Sequence, residues 1–288
     1  MIQTTNKTKL LGLIGTPVEH TISPEMHSIM ANRYGFDFSY LAFDIKNENL
    51  KDVILTARAM GARGFNITAP HKIAVMESLD HIDKDAEIMG TVNTVVYEND
   101  GIYGYNTDGD GLVNSLEYEG AQILGKKVLM LGAGGSARSI AYKLAKKGAK
   151  RLDISSRSKD KIHIICDVIE KNTDVKVNDE MDKTCEYDVI INTTPLGMYP
   201  DINKTPFENY DMISEKTTVC DIIYNPKKTI LLKEAEKKGA KIVNGLSMLV
   251  LQGIYAFEYF ADIKIPDKED LYITLMKNFS DFNISTKG

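Results

Sequence analysis

The sequence has no tryptophan, only three cysteines and no long apolar run. The cysteines, Cys166, Cys185 and Cys220, are far apart, odd in number and form no C-x-x-C pair. This spacing excludes a disulfide framework and a zinc knuckle, and it predicts a reducing compartment. No stretch reaches the roughly 18 apolar residues that a transmembrane helix needs, and the opening residues lack the apolar segment of a signal peptide. We therefore expect a cytoplasmic protein with no membrane partner.

An excess of positive charge is also missing. Lysine and arginine number 35 against 40 aspartates and glutamates, so the net charge is −5. This balance excludes nucleic acid as a bulk partner, and any phosphate must be bound by local geometry. The 288 residues, 43% of them hydrophobic and 26% charged, are typical of a globular chain with two domains.

Strand-like and helix-like segments alternate along the chain. In the first half the predicted strands are 10–15, 38–45 and 64–68, and the predicted helices are 24–34, 49–60 and about 72–79. The passage 91–111, rich in Gly, Asn and Asp, is typical of a hairpin. A second alternating run contains the segments 126–149, 151–157, 187–195, 217–226 and 241–244. This alternation predicts two α/β domains with mostly parallel sheets.

The first run of strands and helices ends near Asn106 and a second run follows, which predicts a domain boundary there. We expect one domain at 1–106 and a second at 107–244. The segment 245–260 is apolar around most of its circumference, which is typical of a buried helix. We expect it to pack back on the first half, so that 245–288 completes the first domain.

A glycine-rich turn separates a strand from a helical pattern in the second domain. It matches G-x-G-x-x-A, and its residues are Gly132, Ala133, Gly134, Gly135, Ser136 and Ala137. In this context the first glycine permits the tight turn, the second lets a pyrophosphate approach, and the small alanine lets the helix pack on the strand. The free N–H groups at the helix N-terminus can then bind phosphates. We predict a Rossmann-type dinucleotide-binding domain, with a ligand-free glycine turn as the alternative.

The residue that contacts the cofactor ribose belongs at the end of the next strand. Asp153 has the spacing of a ribose-binding acid, about 20 residues on, but it lies inside the strand RLDISS. The strand end itself carries Ser156, Arg157 and Ser158. Hydroxyls beside a cation suit a 2′-phosphate, so we predict NADP rather than NAD. A solvated basic turn is the alternative.

A calcium-loop pattern lies between the two halves. Residues 106–111 together with Glu117 match ligand positions of an EF-hand. However, the first position is Asn106 rather than aspartate, and strand and turn residues precede it where a helix is required. We predict no metal site and expect another role for Asp108.

Together these segments resemble the shikimate dehydrogenase family over nearly the whole chain. Eight motifs carry the resemblance in order: His20-Thr21-Ile22-Ser23-Pro24, Asn66-Ile67-Thr68-Ala69-Pro70-His71-Lys72, Val92-Asn93-Thr94, Asn106-Thr107-Asp108, the glycine turn, Ser156-Arg157-Ser158, Asp221-Ile222-Ile223-Tyr224-Asn225-Pro226, and Gly245-Leu246-Ser247-Met248 leading to Gln252. The resemblance implies NADPH-dependent, reversible reduction of 3-dehydroshikimate to shikimate in aromatic amino acid biosynthesis. It also implies a substrate bound between an N-terminal α/β domain and a Rossmann domain. We expect a monomer or a homodimer.

The resemblance implies roles for individual residues as well. Lys72 and Asp108 would be the catalytic pair, and Arg157 would bind the 2′-phosphate with Ser156 and Ser158 beside it. The ligands of the substrate hydroxyls and carboxylate would be Thr21, Ser23, Thr68, Asn93, Tyr224 and Gln252. The rest of the cofactor site would be lined by Thr193 in the loop 192–194, Ile222 and Gly245. His71 is interpreted as a second-layer or exposed residue.

The chemistry independently requires these residue types. A small polyhydroxy acid needs short hydrogen-bonding side chains, although Ser23 before Pro24 also fits a helix cap. Carbonyl reduction needs a proton donor, and Lys72 fits as acid in reduction and base in oxidation. A neighbouring Asp108 carboxylate would stabilise the lysine cation and weaken the base. Three explanations stay open. Burial of Lys72 outweighs the pairing, the two groups titrate as a coupled pair, or Asp108 only orients the substrate and the lysine.

One position departs from the family pattern. Two serines spaced by one residue are usual near the N-terminus, and here the first is Thr21. Its methyl group narrows the carboxylate site, which leaves the choice between shikimate and quinate open. The alternatives are a quinate/shikimate dehydrogenase using NAD(P) and a noncatalytic sensor of shikimate-pathway metabolites. The presence of both Lys72 and Asp108 disfavours the sensor.

Overall fold

The computed structural model describes residues 4–19, 21–207 and 209–280. The chain divides into two compact units. Unit 1 extends to Thr107 and includes Gln252–Leu275, whereas unit 2 comprises Asp108–Leu251 and continues from Met276. The sequence predicts a return to the first unit at 245, but the division lies within one continuous helix, Gly245–Ala261. An apolar circumference predicts that this helix is buried and does not show to which unit each turn belongs.

Unit 1 is built on a mixed sheet, which has six strands in the part of the chain described. The strands β1 to β6 are Lys9–Gly15, Phe38–Asp44, Gly64–Ile67, His81–Ile82, Thr94–Tyr97 and Ile102–Tyr105. Their order is β2-β1-β3-β5-β6-β4. β1 runs parallel to β2 and β3, and β4 runs parallel to β6. β5 runs antiparallel to β3 and forms the predicted hairpin with β6, so three of the five strand pairings are parallel.

Two of the three helices predicted in unit 1 form with nearly the predicted bounds, and the third does not form. α1 to α3 are Ser23–Tyr34, Leu50–Ala59 and Lys84–Met89. The predicted helix at about 72–79 is wrong, because only a 3₁₀ helix, Ala74–Ser78, forms. The Lys72 carbonyl accepts a hydrogen bond from Val92 N–H (2.8 Å), and the Met76 N–H bonds to the Ile73 carbonyl instead (3.2 Å). A contact between distant segments therefore decides the local structure here.

Unit 2 contains a second sheet, which is parallel throughout its six described strands. The strands β7 to β12 are Lys127–Leu131, Arg151–Ser155, Lys176–Asn178, Val189–Asn192, Thr218–Asp221 and Lys241–Val243. Their order is β12-β11-β10-β7-β8-β9. If β7 is numbered as strand 1 of this unit and the order is taken from β9 to β12, the sheet has the 3-2-1-4-5-6 order of the Rossmann fold. Ligands of such sheets bind at the carboxyl ends of the strands. The helices α4 to α7 are Asp108–Tyr118, Gly135–Lys146, Lys159–Asn172 and Ile230–Lys237.

Two helices, α8 at Gly245–Ala261 and α9 at Lys268–Phe279, follow β12. α8 is the predicted apolar helix. Its C-terminal end is held by Arg63, whose guanidinium donates to the carbonyls of Phe260 (2.6 Å) and Tyr259 (3.2 Å). These carbonyls lie in the last turn, where intrahelical partners are missing. Among the described residues, no helix combines the length and the apolar character that crossing a bilayer requires.

Candidate active site

The glycine-rich turn lies at the carboxyl end of β7 and leads into α5. Gly132 has a φ of 110°, a left-handed conformation that favours glycine, and a β-carbon there would overlap the Thr193 hydroxyl. A β-carbon on Gly134, the residue before α5, would meet no atom of the described residues within 4 Å. Ala133 and Ala137 are buried in the core of unit 2. The backbone at Gly134 is therefore open on this side, as the predicted approach of a pyrophosphate requires.

The loop after β10 is attached to the end of β7. Thr193 donates both its hydroxyl (2.7 Å) and its N–H (2.8 Å) to the Leu131 carbonyl. Asn192 donates its amide to Asp221 at the end of β11 (3.0 Å), and its carbonyl accepts the Ile222 N–H (3.1 Å). Thr193 and Ile222 are thereby held at the carboxyl edge of the sheet, where the predicted cofactor site lies.

Asp221 organises the end of β11. The carboxylate also accepts hydrogen bonds from the Thr229 hydroxyl (2.8 Å) and the Ile223 N–H (3.1 Å). Burial raises the pKa of Asp221 to about 6, and the hydrogen bonds from Thr229, Ile223 and Asn192 oppose this shift. Asp221 was recognised in the sequence only as part of a motif, and no role of its own was predicted for it.

Gly245 lies close to the chain that follows β11. Its N–H donates to the Ile223 carbonyl (3.1 Å), and a β-carbon on it would overlap the Ile222 carbonyl. Only glycine therefore permits this approach. Tyr224, a predicted substrate ligand in the same segment, is half-buried, and burial raises the pKa of its phenol. The hydroxyl accordingly keeps its proton at neutral pH.

The chain between β8 and α6 carries the predicted 2′-phosphate residues. Ser156 and Ser158 are half-buried, and the Ser158 N–H donates to the Ser156 hydroxyl oxygen (3.5 Å). Arg157, between them, is exposed. Its guanidinium is therefore accessible to a phosphate.

Asp153 lies inside β8 with 0% of its surface exposed. It accepts hydrogen bonds from the Arg151 guanidinium (2.8 Å), the Tyr187 hydroxyl (2.5 Å) and the Asn178 amide. Burial raises the pKa of this carboxyl, but the hydrogen bonds from these three residues outweigh burial, and the net pKa is lowered. A carboxylate held in this way contributes to the fold and is not accessible to a ribose, as the sequence predicts.

The predicted ligands of unit 1 begin at the N-terminus of α1. Ser23 is the first residue of α1 and is buried. Thr21 donates its hydroxyl to Ser23 Oγ (3.0 Å) and accepts the Ser23 N–H (3.2 Å). The cap position belongs to Ile22, so the capping role considered for Ser23 is not realised. His20, the first residue of this motif, lies outside the described residues.

Asn93, which is only 2% exposed, hydrogen-bonds to a second predicted ligand, Gln252. Its Nδ2 donates to Thr107 Oγ1 (2.9 Å) and Gln252 Oε1 (3.4 Å), and its Oδ1 accepts the Thr107 N–H (2.9 Å). Thr68 follows β3 directly, and its N–H donates to the Ile14 carbonyl (2.9 Å). The fold of unit 1 thus brings together Asn93 and Gln252, which are 159 positions apart in sequence.

Sequence reasoning assigned no role to Asn66, Thr94 or Thr107, three polar residues buried beside Asn93. A signal was present, since β3 and β5 are otherwise apolar and a buried polar side chain in such a strand must find a partner. The side-chain partners of Asn66 could not be predicted, because Tyr40 and Thr94 lie on other strands.

Lys72 is half-buried in the loop after β3. The adjacent His71 is fully buried, so the interpretation as an exposed residue is wrong and the second-layer interpretation remains. The ring of His71 hydrogen-bonds through Nε2 to the Ile45 carbonyl (2.6 Å) and through Nδ1 to Asn47 Oδ1 (2.9 Å). The loop that presents Lys72 is therefore fixed to the segment after β2.

Asp108 is the first residue of α4 and is 4% exposed. The next residue, Gly109, lies against α5, and a β-carbon on it would stand 2.5 Å from the Ser139 carbonyl oxygen. This close packing fixes Asp108 on a helix that rests on α5, the helix that follows the glycine turn. Because 108–118 is helical, it cannot wrap a cation as an EF-hand loop does. The described residues also contain no group of three or more His, Cys, Asp or Glu placed to hold a metal.

Both halves of the chain match models of known families. The shikimate dehydrogenase substrate binding domain matches residues 13–95, and shikimate / quinate 5-dehydrogenase matches residues 116–226. A relative from Methanococcus aeolicus named shikimate dehydrogenase (NADP(+)) is 44% identical over 277 residues, which covers 95% of this chain and 97% of the relative.

Solved structures agree with these matches. A shikimate dehydrogenase crystallised in complex with NADP+ is similar with a TM-score of 0.86 and 41% identity, over 96% of this chain and 97% of that one. Shikimate 5-dehydrogenase from Listeria monocytogenes, in complex with shikimate and NAD, is similar with a TM-score of 0.85 and 34% identity. The match covers 95% of this chain and 98% of that one. Because the similarity extends over nearly the full length at this level of identity, the chain belongs to the shikimate dehydrogenase family.

Proposed function

We propose that this protein catalyses the reversible, NADPH-dependent reduction of 3-dehydroshikimate to shikimate, a step of aromatic amino acid biosynthesis. The observation that carries the proposal is the hydrogen bond between Asn93 and Gln252. Two amides from distant segments, with the hydroxyls of Thr21 and Ser23 in the same unit, suit a small acid with several hydroxyl groups. Such a site discriminates strongly, because an analogue that lacks one hydroxyl leaves a buried group unpaired.

The proposal assigns substrate binding to unit 1 and dinucleotide binding to unit 2. In unit 1 the ligands are Thr21, Ser23, Thr68, Asn93 and Gln252. In unit 2 the glycine turn and the N-terminus of α5 bind the pyrophosphate of the cofactor. The rest of the cofactor site is lined by Thr193, Ile222 and Gly245. The exposed Arg157 binds the 2′-phosphate, which favours NADP, the cofactor in the name of the Methanococcus aeolicus relative.

The chemistry divides between the cofactor and two side chains. NADPH, when bound, supplies the hydride that reduces the substrate carbonyl. Lys72 Nζ gives a proton to the carbonyl oxygen in reduction and takes it back in oxidation. Asp108, held at the start of α4, orients a substrate hydroxyl. The three buried free thiols fit a reducing compartment, so we also propose that the enzyme is cytoplasmic.

Initial rates with shikimate or quinate, each with NADP or NAD, test the proposed function. We expect the highest kcat/KM for shikimate with NADP. No cofactor reduction with any of the four pairs, together with measurable binding of shikimate by calorimetry, would favour the metabolite sensor.

The Thr21→Ser variant should keep shikimate turnover and gain quinate turnover. Removing the methyl group widens the proposed carboxylate site, so we expect kcat/KM for quinate to rise about tenfold relative to shikimate, the low end for one carbon in a pocket. The measurement is the ratio of the two kcat/KM values with NADP. Thr56→Ser, which removes an exposed methyl from α2, is the control. An unchanged ratio in Thr21→Ser would remove this role.

The Asp153→Ala variant should be less stable but should keep its cofactor preference. We expect a loss of about 3 kcal/mol in the free energy of unfolding, at the low end for breaking a buried ion pair because Arg151 stays partly hydrated. Denaturant unfolding measures this loss, and KM values for NADP and NAD complete the test. Asp160→Ala, an exposed acid in α6, is the control. A selective loss of cofactor affinity without a loss of stability would make Asp153 the ribose ligand.

A further inference from the structure

A chain of buried hydrogen bonds lies behind the proposed substrate ligands of unit 1. The Tyr40 hydroxyl donates to Asn66 Oδ1 (2.9 Å), and Asn66 Nδ2 donates to Thr94 Oγ1 (3.2 Å). The Thr94 hydroxyl in turn donates to Asn93 Oδ1 (2.9 Å). All four residues are at most 6% exposed. The chain therefore ends on a proposed ligand but contains three residues to which no role has been assigned.

Two backbone groups fix the direction of this chain. Asn66 Nδ2 also donates to the Asn93 carbonyl (3.3 Å), which can only accept, so Asn66 must turn Oδ1 toward Tyr40. At the other end, the Thr107 N–H, which can only donate, binds Asn93 Oδ1 (2.9 Å). Reversing either amide would bring two donors or two acceptors together in the core and leave buried groups unsatisfied.

Tyr40 is well placed to begin the chain. Its ring stacks on the ring of His27, with centroids 4.2 Å apart and planes 8° from parallel. Burial lowers the pKa of His27 to about 3, so this imidazole is neutral. Burial also raises the pKa of Tyr40, so the hydroxyl stays protonated and donates a hydrogen bond to Asn66.

The direction of the chain determines how Gln252 faces the site. Because Asn93 Oδ1 is turned inward, Asn93 Nδ2 faces Thr107 Oγ1 and Gln252 Oε1. Gln252 therefore accepts the hydrogen bond of Asn93 with Oε1, and its Nε2 hydrogens lie on the other edge of the amide. We propose that Tyr40, Asn66 and Thr94 are positioning residues that fix the amide of Asn93 and, through it, make Gln252 a hydrogen-bond donor to the substrate. This inference deepens the proposed function and rests on it.

Three variants and a matched control test the proposal. Tyr40→Phe and Thr94→Val each remove one hydroxyl from the chain, whereas Thr94→Ser keeps the hydroxyl and removes only a methyl group. Tyr97→Phe is the control, because Tyr97 is also buried in unit 1 but donates to the Ile54 carbonyl (2.8 Å), away from Asn93. We expect Tyr40→Phe and Thr94→Val to raise KM for shikimate about five- to tenfold, as for the loss of one hydrogen bond. kcat and KM for NADP should change little, and Thr94→Ser should restore KM.

The outcomes separate this proposal from the proposed function. Thermal unfolding of each variant reports general destabilisation, which Tyr97→Phe should show to a similar degree without a change in KM. An active wild-type enzyme whose KM for shikimate is unmoved by Tyr40→Phe and Thr94→Val would overturn this proposal alone. An equal rise of KM in Tyr97→Phe would also overturn it, since the effect would then be one of stability. A wild-type protein inactive with shikimate would overturn the proposed function and this inference with it.

Discussion

Replacing Lys72 with alanine should lower kcat for shikimate oxidation by about 10²–10⁴-fold, the usual contribution of general acid–base catalysis. KM for shikimate and for NADP should change far less. In its proposed role the lysine acts on the proton as charge develops in the transition state, whereas the proposed hydroxyl and amide ligands and the glycine turn remain in place. Steady-state kinetics in both directions provide the measurement. Lys51→Ala, which removes an exposed lysine from α2 in the same unit, is the control.

The Asp108→Ala variant completes a double-mutant cycle with Lys72→Ala. If the two residues act together in one step, the double variant should have a kcat little lower than that of the poorer single variant, because the effects of such substitutions are not additive. Additive losses would show that they act independently. A Lys72→Ala enzyme with near-normal kcat and a large rise in KM would make Lys72 a substrate anchor and would remove its role in proton transfer.

Arg157→Ala should weaken NADP binding and leave NAD binding nearly unchanged. The guanidinium is exposed just after β8, and in its proposed role it makes a charge-assisted contact with the 2′-phosphate. Losing that contact should cost about 1.5–3 kcal/mol, which corresponds to roughly 10- to 150-fold in affinity. NAD has no 2′-phosphate and serves as the internal reference. Calorimetric titration of both cofactors measures the two affinities.

A second basic residue provides the control for Arg157. Lys161→Ala removes an exposed positive charge from α6, one turn further along, and should leave both cofactors unaffected. Equal weakening of NADP and NAD by Arg157→Ala would mean that the residue supports the structure of the turn. In that case the preference for NADP would need another residue.

Features with local causes could be predicted from the sequence. The left-handed backbone at Gly132 depends on the residue itself, and the strand and helix around it have clear patterns. The position of Arg157 follows from the end of β8, which the sequence places correctly. The alternation of strands and helices and the glycine-rich turn could therefore be predicted from the sequence alone.

Features that depend on distant partners could not be predicted. The 3₁₀ helix at Ala74–Ser78 replaces a longer helix because Val92 N–H takes the carbonyl of Lys72. Likewise, Asn66 meets Thr94 only because β3 and β5 pair in this register. A sequence pattern shows that such polar residues need partners but does not name them.

The loop that carries Lys72 is anchored on two sides. The ring of His71 hydrogen-bonds to Ile45 and Asn47, and the Lys72 carbonyl accepts the Val92 N–H. Fixing the backbone of one residue costs about 1–2 kcal/mol in conformational entropy. Because these anchors form when unit 1 folds, this entropy is lost once, at folding, and not again in every turnover. If Lys72 has its proposed role, substrate binding does not have to order the backbone of this loop, and more of its binding free energy remains for bringing the reacting groups together.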